Sequence, residues 1–261
     1  MKICIIGNSH ASMLLTAAQQ HDFGAHFTFF GKPKLMKADF RTEGSSITTD
    51  KPELVDWLIR FGTPTTIDVT SFDAVILVGL AFTYLPAVRI AQTRLVTGWP
   101  DHLHTLMQAT LPADKPPITG GTYRAILAAL HRQSLSCDLT ETLRSNSDIP
   151  IFIIPRPFPS EDVLKTKQHP IVRQAAKQGN GHAIAQDLTA ATNMAVDHVV
   201  NAIAVPQPAQ TIRQGFLTDP RYMRGARRLD LARSQPDQDV MHANSDLGRM
   251  FLTDIVAHLR L

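Results

Sequence analysis

The chain has few of the features that mark secreted, membrane-spanning or metal-binding proteins. Its two cysteines, Cys4 and Cys137, are far apart in the sequence, so we expect reduced thiols rather than a disulfide bond or a cysteine metal site. No run of eighteen apolar residues occurs, and the apolar start is too short for a secretory signal. These absences predict a soluble, cytoplasmic protein with no membrane partner.

The chain also has little excess charge. The net charge is +3 over 261 residues, without a dense Lys/Arg block, which argues against a nucleic-acid partner. Basic residues concentrate only between Arg221 and Arg233, where we expect a solvated surface. Neither nucleotide-binding glycine motif, G-x-G-x-x-G or G-x-x-x-x-G-K-[ST], follows any strand. The sequence therefore indicates no nucleotide, metal or other cofactor, and it leaves the oligomeric state open.

Apolar runs alternate with amphipathic segments along the whole chain. Because 44% of the residues are apolar, we expect one globular domain over residues 1–261. Strands are predicted at 1–7, 26–30, 73–79, 149–155 and 199–205. Helices are predicted at 11–18, 52–61, 122–132, 183–197 and 245–259, and a surface loop at 34–50. This alternation predicts an α/β fold, with a parallel sheet covered on both faces.

The first predicted strand ends in small polar residues. Ser9 follows Gly7 and Asn8 and precedes a helical segment, so it should lie in the crevice beyond the carboxyl end of the strand. A nucleophile or an anion site would suit this position, near the positive end of a helix. Asn and Ser are also ordinary N-cap residues, so the stretch alone leaves both interpretations open.

A second polar cluster precedes the last predicted helix. Asp239 and His242 form a D-x-x-H pair, and Asn244 is placed to cap the helix and to hold this loop. A serine nucleophile needs a base within hydrogen-bond reach, and the base needs a carboxylate to orient it. Ser9, His242 and Asp239 could therefore form a catalytic triad.

These two terminal motifs resemble the SGNH (GDSL-like) hydrolase superfamily. There the serine follows the first strand, and an Asp-x-x-His pair lies near the C-terminus. Asn8 stands where the family usually has the Asp of G-D-S. The resemblance implies a three-layer α/β/α, flavodoxin-like fold, whose five parallel strands run in the order 2-1-3-4-5. It also implies that His242 is the base and Asp239 its partner.

The resemblance implies an oxyanion hole as well. The Ser9 amide would be one donor, and Gly44 is the best candidate for the family's second-block glycine. The third block, G-x-N-D, aligns with 79–82, where Ala81 replaces the asparagine, so this chain is a divergent member. Losing one oxyanion donor typically costs roughly 10²–10³ in turnover, so a slow enzyme or a replacement donor is expected.

Four further residues are candidates for substrate binding. Asn8 and His10 flank Ser9, Gly79 ends the third predicted strand, and Arg156 follows the fourth. The ring of His10 could face the crevice or turn into the sheet. Arg156 could contact substrate or pair with Glu161 on the surface.

The sequence thus favours a serine-dependent ester hydrolase or O-acyl transferase. The substrate would be a small-molecule or glycan ester that carries, for example, an acetyl group. The alternative from another class is a non-catalytic protein of the same fold that binds a carbohydrate or another partner in the crevice. The replacement at Ala81 favours the alternative, whereas the presence of Ser9, Asp239 and His242 favours the enzyme.

Overall fold

A five-stranded parallel sheet forms the centre of the protein. The computed structural model describes residues 1–80, 83–101, 103 and 115–261. The sheet strands are β1 (Lys2–Gly7), β2 (His26–Gly31), β6 (Ala74–Val78), β9 (Ile151–Ile154) and β10 (Ala202–Ala204). They lie side by side in the order β10-β9-β6-β1-β2, and every neighbouring pair is parallel. By position in the chain this is the order 2-1-3-4-5, so the expected arrangement of strands is confirmed.

Among the described residues, seven short strands lie outside the central sheet. They are β3 (Arg41–Glu43), β4 (Ser46–Thr48), β5 (Thr66–Asp68), β7 (Leu95–Val96), β8 (Pro117–Ile118), β11 (Ile212–Arg213) and β12 (Leu217–Thr218). Strands β3, β4 and β5 form an antiparallel sheet, whereas β7–β8 and β11–β12 are two-stranded pairs.

Eight α-helices occur in the described ranges. They are α1 (Ser12–Gln20), α2 (Pro52–Arg60), α3 (Leu85–Thr93), α4 (Gly120–Arg132), α5 (Leu135–Arg144), α6 (Pro170–Lys177), α7 (Gly181–Val196) and α8 (Ser245–His258). The predicted helices at 11–18, 52–61, 122–132, 183–197 and 245–259 correspond to α1, α2, α4, α7 and α8. The sequence pattern between 82 and 144 also predicts helices, and its part at 102–114 lies outside the described residues except for position 103.

Both faces of the central sheet are covered. On one face, Ile3, Ile5 and Ile76 pack in a buried cluster with residues of α1 and α8, such as Leu14 and Phe251. On the other face, alternate strand residues pack with side chains of α2 and α5; this cluster includes Cys4, Ile6, Val75, Leu77, Leu54, Leu58, Leu139 and Leu143. The central strands are apolar at successive positions because each side chain, whichever way it points, meets a helix.

The prediction of a surface loop at 34–50 was wrong. Within it, β3 and β4 form a hairpin, which β5 extends to a three-stranded antiparallel sheet. Ile47 and Ile67 pair across β4 and β5 and are both buried. Each strand has only three residues, too few to establish an alternating pattern, and β5 is remote in sequence. Helix α6 was also not predicted; it begins with Pro170 at its first turn.

Candidate functional site

Ser9 lies at the carboxyl edge of the central sheet, directly after the central strand β1. The chain leaves β1 at Gly7 and forms a short 3-10 turn, Ser9–Ala11, before α1 begins. The side chain of Asn8 caps this turn by accepting a hydrogen bond from the His10 amide at 3.1 Å. The two interpretations of the stretch are therefore compatible, because Asn8 supplies the cap while Ser9 is left partly exposed.

The loop that carries Asp239 and His242 is fixed at both ends. At its start, the Asp239 amide donates to the Pro236 carbonyl at 2.8 Å, and within it the carbonyl of Val240 accepts a hydrogen bond from the Ser160 amide at 2.8 Å. After it, Asn244 caps α8, as expected from the sequence. The Asn244 amide group also donates to the carbonyls of Arg221 and Arg224 at 2.7 and 2.9 Å, which ties the cap to a neighbouring loop.

Ser9, His242 and Asp239 form a continuous hydrogen-bonded chain. The Ser9 Oγ lies 3.0 Å from the His242 Nε2, although 233 residues separate them in the sequence. The His242 Nδ1 lies 2.7 Å from the Asp239 Oδ2. With Nδ1–H bonded to the carboxylate, the Nε2 lone pair faces the serine hydroxyl and can accept its proton. The structure brings together all three residues of the predicted triad.

The Asp239 carboxylate is held in its charged form. Burial would raise its pKa, but hydrogen bonds from the His242 ring and from the amides of Met241 and His242 lower the pKa below its ordinary value. Those amides donate to Oδ1 at 2.7 and 3.1 Å, which leaves Oδ2 for the imidazole. The carboxylate is therefore prepared to stabilise an imidazolium formed at His242.

His10 lies beside His242. Its ring stacks on the His242 ring, with 4.8 Å between centroids and 22° between the planes. Burial lowers the pKa of His10 well below its ordinary value, and the charges of His242 and Arg156 lower it further, against an opposing effect of Asp239. Within the described part of the chain, the buried His10 Nδ1 has no hydrogen-bond partner. His10 is thus a neutral ring that packs on the base.

Gly79 links the nucleophile loop to Arg156. The Gly79 carbonyl accepts hydrogen bonds from the Asn8 Nδ2 at 2.6 Å and from the Arg156 Nε at 3.2 Å. Its amide donates to the Ile154 carbonyl at 3.2 Å. Gly79 has a positive φ of 70°, and a Cβ there would collide with Asn8 and His10. Only glycine suits this position.

These bonds change the roles expected for three residues. Asn8 is buried and uses both its oxygen and its nitrogen inside the protein, and both backbone groups of Gly79 are engaged. They position the loop rather than face a ligand. Arg156 lies at the site, and Glu161 accepts a hydrogen bond from Gln214 instead, so the surface pair with Arg156 is not formed.

Gly44 is not brought to Ser9. It lies at φ 60° in the turn between β3 and β4, and a Cβ at this position would have the Asn146 Oδ1 as its nearest neighbour, at 4.0 Å. Asn146 follows the end of α5 and precedes β9, so it marks the edge of the sheet where the amino end of β9 lies. The start of α5 is at the other edge, where the Ser136 amide donates to the Leu80 carbonyl. A helix of ten residues spans about 15 Å, so Gly44 lies on the wrong edge of the sheet for the oxyanion hole.

One expected oxyanion donor remains in position. The hydrogen bonds of the described residues leave the Ser9 amide without an acceptor, next to its own hydroxyl. This amide can therefore bind charge that develops on a carbonyl oxygen attacked by Ser9. Ala81, which aligns with the missing asparagine, and Phe82 lie outside the described residues.

A cavity adjoins the site on the side of Arg156. It has a volume of about 490 Å³, lies between α7 and the carboxyl ends of β9 and β10, and Tyr84 and Arg156 are part of its wall. No sequence pattern predicted it. The apolar residues that α7 contributes include Ala185 and Leu188, three positions apart, and this spacing is the same for a cavity wall and for a packed core.

Comparisons with known proteins add no assignment. No protein-family model matches the chain, and neither the curated proteins nor the solved structures include a match. In the described ranges, no helix is long and apolar enough to span a membrane. In the same ranges, no three His, Cys, Asp or Glu side chains are grouped so that they could hold a metal ion.

Proposed function

We propose that this protein is a serine-dependent ester hydrolase or O-acyl transferase of the SGNH type, with Ser9 as nucleophile, His242 as base and Asp239 as its orienting carboxylate. The observation that carries the proposal is the Ser9–His242–Asp239 hydrogen-bonded chain, with distances of 3.0 and 2.7 Å. The order of the parallel strands and the position of Ser9 beyond β1 also support the SGNH, flavodoxin-like assignment. A small-molecule or glycan ester is the proposed substrate.

The first half-reaction forms an acyl-enzyme. The Ser9 Oγ attacks the ester carbonyl carbon while its proton passes to the His242 Nε2, and the Ser9 amide donates to the oxyanion. Asp239 stabilises the imidazolium. As the oxyanion collapses, the bond to the alcohol oxygen breaks, and His242 returns the proton to that leaving oxygen.

The second half-reaction regenerates the serine. His242 removes a proton from water, or from an acceptor hydroxyl in a transfer reaction, and the resulting oxygen nucleophile attacks the acyl carbon. The Ser9 Oγ then leaves and takes the proton back from His242. Water as acceptor gives a carboxylic acid, whereas an alcohol or sugar hydroxyl gives a new ester.

Labelling with a fluorophosphonate probe tests the proposal, because this probe phosphonylates only a serine that a base activates. We expect covalent labelling at Ser9, loss of labelling in Ser9→Ala and His242→Ala, and a decrease of about 10⁴-fold in the rate for Asp239→Asn. Mass spectrometry of the peptide locates the adduct. Ser45→Ala, in the hairpin turn at the other edge of the sheet, is the matched control and should label like the wild type.

Two outcomes would contradict the proposal. Equal labelling of the wild type and Ser9→Ala would show that Ser9 is not the nucleophile. A folded wild type that neither reacts with the probe nor hydrolyses 4-nitrophenyl acetate would instead favour the non-catalytic binding protein that the sequence left as the alternative.

A further inference from the structure

The cavity beside the triad is apolar over most of its wall. Its apolar surface comes from α7, from α8 and from the ends of β9 and β10, with Phe158, Leu188, Val205 and Phe251 among the contributors. Its volume of about 490 Å³ lies within the range typical of sites for small molecules. An apolar group of a ligand would therefore gain free energy by leaving water here.

Most polar side chains on the wall are already bonded within the protein. Gln207 accepts from the Phe158 amide and donates to Thr211 and Thr218 at 3.0 Å each. Thr189 and Thr192 each donate to a carbonyl one turn earlier in α7. These groups are not free to fix the orientation of a ligand, so recognition must depend on the few polar groups that remain.

Arg156 is the one charged residue among the described residues that line the cavity. Its side chain is partly buried, and among the described residues only its Nε finds a partner, the Gly79 carbonyl. No carboxylate of the described chain pairs with it, and its two terminal nitrogens have no acceptor there. A partly buried guanidinium without a counter-ion is unfavourable, and an anionic ligand would relieve this cost.

Arg156 also connects the cavity to the nucleophile. The Gly79 carbonyl that binds its Nε is the same one that binds the Asn8 side chain, and Asn8 precedes Ser9. The positive charge of Arg156 also helps to lower the pKa of His10, whose ring stacks on the ring of His242. Arg156 therefore joins the wall of the cavity to the loop that carries Ser9.

We propose that this cavity binds small molecules that combine an apolar group with a carboxylate, and that the Arg156 guanidinium pairs with the carboxylate. A planar guanidinium fork matches a carboxylate with two parallel hydrogen bonds, which favours this anion. If the protein acts on esters, as proposed above, its substrates are then esters that carry both an apolar group and a carboxylate. This assignment of the substrate class rests on the proposed function.

A binding measurement tests the cavity without catalysis. Isothermal titration calorimetry of the Ser9→Ala protein would compare 4-phenylbutyrate with its neutral isostere 4-phenylbutyramide. We expect the carboxylate to bind about 10- to 100-fold more tightly, as one charged hydrogen-bonded pair would give. Arg156→Gln should remove this preference, and Arg156→Lys should keep only part of it.

Matched controls separate the cavity from general effects of charge and bulk. Arg249→Gln removes an exposed positive charge from α8 and should leave the preference unchanged. Ala190→Phe, on the part of α7 that lines the cavity, should weaken both ligands, whereas Met194→Phe, exposed on the same helix outside the cavity, should not. Equal affinities for the two ligands, no binding of either, or an unchanged preference in Arg156→Gln would overturn the proposal.

A kinetic measurement then connects the cavity to the reaction. The wild type should hydrolyse mono-4-nitrophenyl succinate with a higher kcat/KM than 4-nitrophenyl butyrate, and Arg156→Gln should reverse this ratio. If Arg156→Gln instead slows both esters equally, Arg156 acts on the transition state and the assigned substrate class is wrong. Probe labelling of Ser9 without carboxylate binding would reject the cavity alone, and carboxylate binding without labelling would reject the enzyme alone.

Discussion

At the scale of single residues, Asn8 shows how the loop that carries Ser9 departs from the SGNH pattern it resembles. The SGNH pattern has an aspartate at this position, whereas here the Asn8 Nδ2 donates to the Gly79 carbonyl at 2.6 Å and Oδ1 accepts from the His10 amide at 3.1 Å. The side chain is buried, so both partners depend on it. An ionised aspartate could replace the acceptor but not the donor.

Restoring the aspartate should therefore destabilise the protein. We expect Asn8→Asp to lower the free energy of unfolding by about 1–3 kcal/mol at pH 7, because a carboxylate would face the Gly79 carbonyl in a buried position. Protonation of that carboxyl restores a donor, so the deficit should shrink as the pH falls towards 4. Urea unfolding at several pH values measures both effects.

The control for this prediction is an exposed asparagine. Asn146 donates to the Thr142 carbonyl at the surface, and Asn146→Asp should change the free energy of unfolding by less than about 0.5 kcal/mol. If Asn8→Asp is as stable as the wild type at pH 7, the bond to Gly79 does not hold this loop.

At the scale of elements, the packing of α1 against α8 brings Ser9 and His242 together. Helix α1 follows Ser9 and α8 follows His242, and the two helices pack closely against the same face of the sheet. They approach closely at Gly248, where a Cβ would overlap the Met13 carbonyl oxygen. The absence of a side chain on Gly248 lets His242 come near Ser9.

Filling this contact should affect both stability and chemistry. We expect Gly248→Ala to cost about 1–3 kcal/mol in the free energy of unfolding, because backbone atoms of α1 must move away. The same displacement should lower the rate of Ser9 labelling. Gly121→Ala is the matched control: position 121 is also helical but has ordinary contact distances, so alanine should be neutral or stabilising there. Equal behaviour of the two variants would contradict the role of Gly248.

At the scale of the whole molecule, two buried histidines connect stability to pH. Burial lowers the pKa of His131 to about 4 and lowers that of His10 well below its ordinary value. The unfolded chain therefore binds more protons than the folded protein below a pH of about 6.5, so stability is lost as the pH falls. The lowered pKa of Asp239 acts only at still lower pH, because its stabilisation is lost on protonation below its ordinary value of 3.8.

This linkage makes the free energy of unfolding depend measurably on pH. Between pH 7 and pH 5, His131 alone should reduce the free energy of unfolding by about 2 kcal/mol, given its pKa of about 4. Urea unfolding at the two pH values should show at least this loss in the wild type. His131→Leu should show a smaller loss, whatever its stability at pH 7. An unchanged slope in His131→Leu would mean that the folded protein protonates His131 in this range.

Local sequence patterns were sufficient to predict the strands of the central sheet and to single out Ser9, Asp239 and His242. Strands β1, β6 and β9 are short apolar runs, buried on both faces, and this pattern is local enough to be read without coordinates. Ser9 and the Asp239/His242 pair were likewise identified from their positions beside such elements. That they lie within hydrogen-bond distance follows from the packing of α8 against α1 on one face of the sheet.

Long-range packing, by contrast, selected the other residues that belong to the site. Gly44 was selected as an oxyanion donor from its sequence position. The pairing of β3 and β4 with the distant β5 instead places it at the edge of the sheet opposite Ser9. The partner of Arg156 and the cavity beside it depend on contacts between segments far apart in the chain. Such contacts leave no periodic pattern in the sequence, because the fold of the whole molecule selects them rather than the preferences of neighbouring residues.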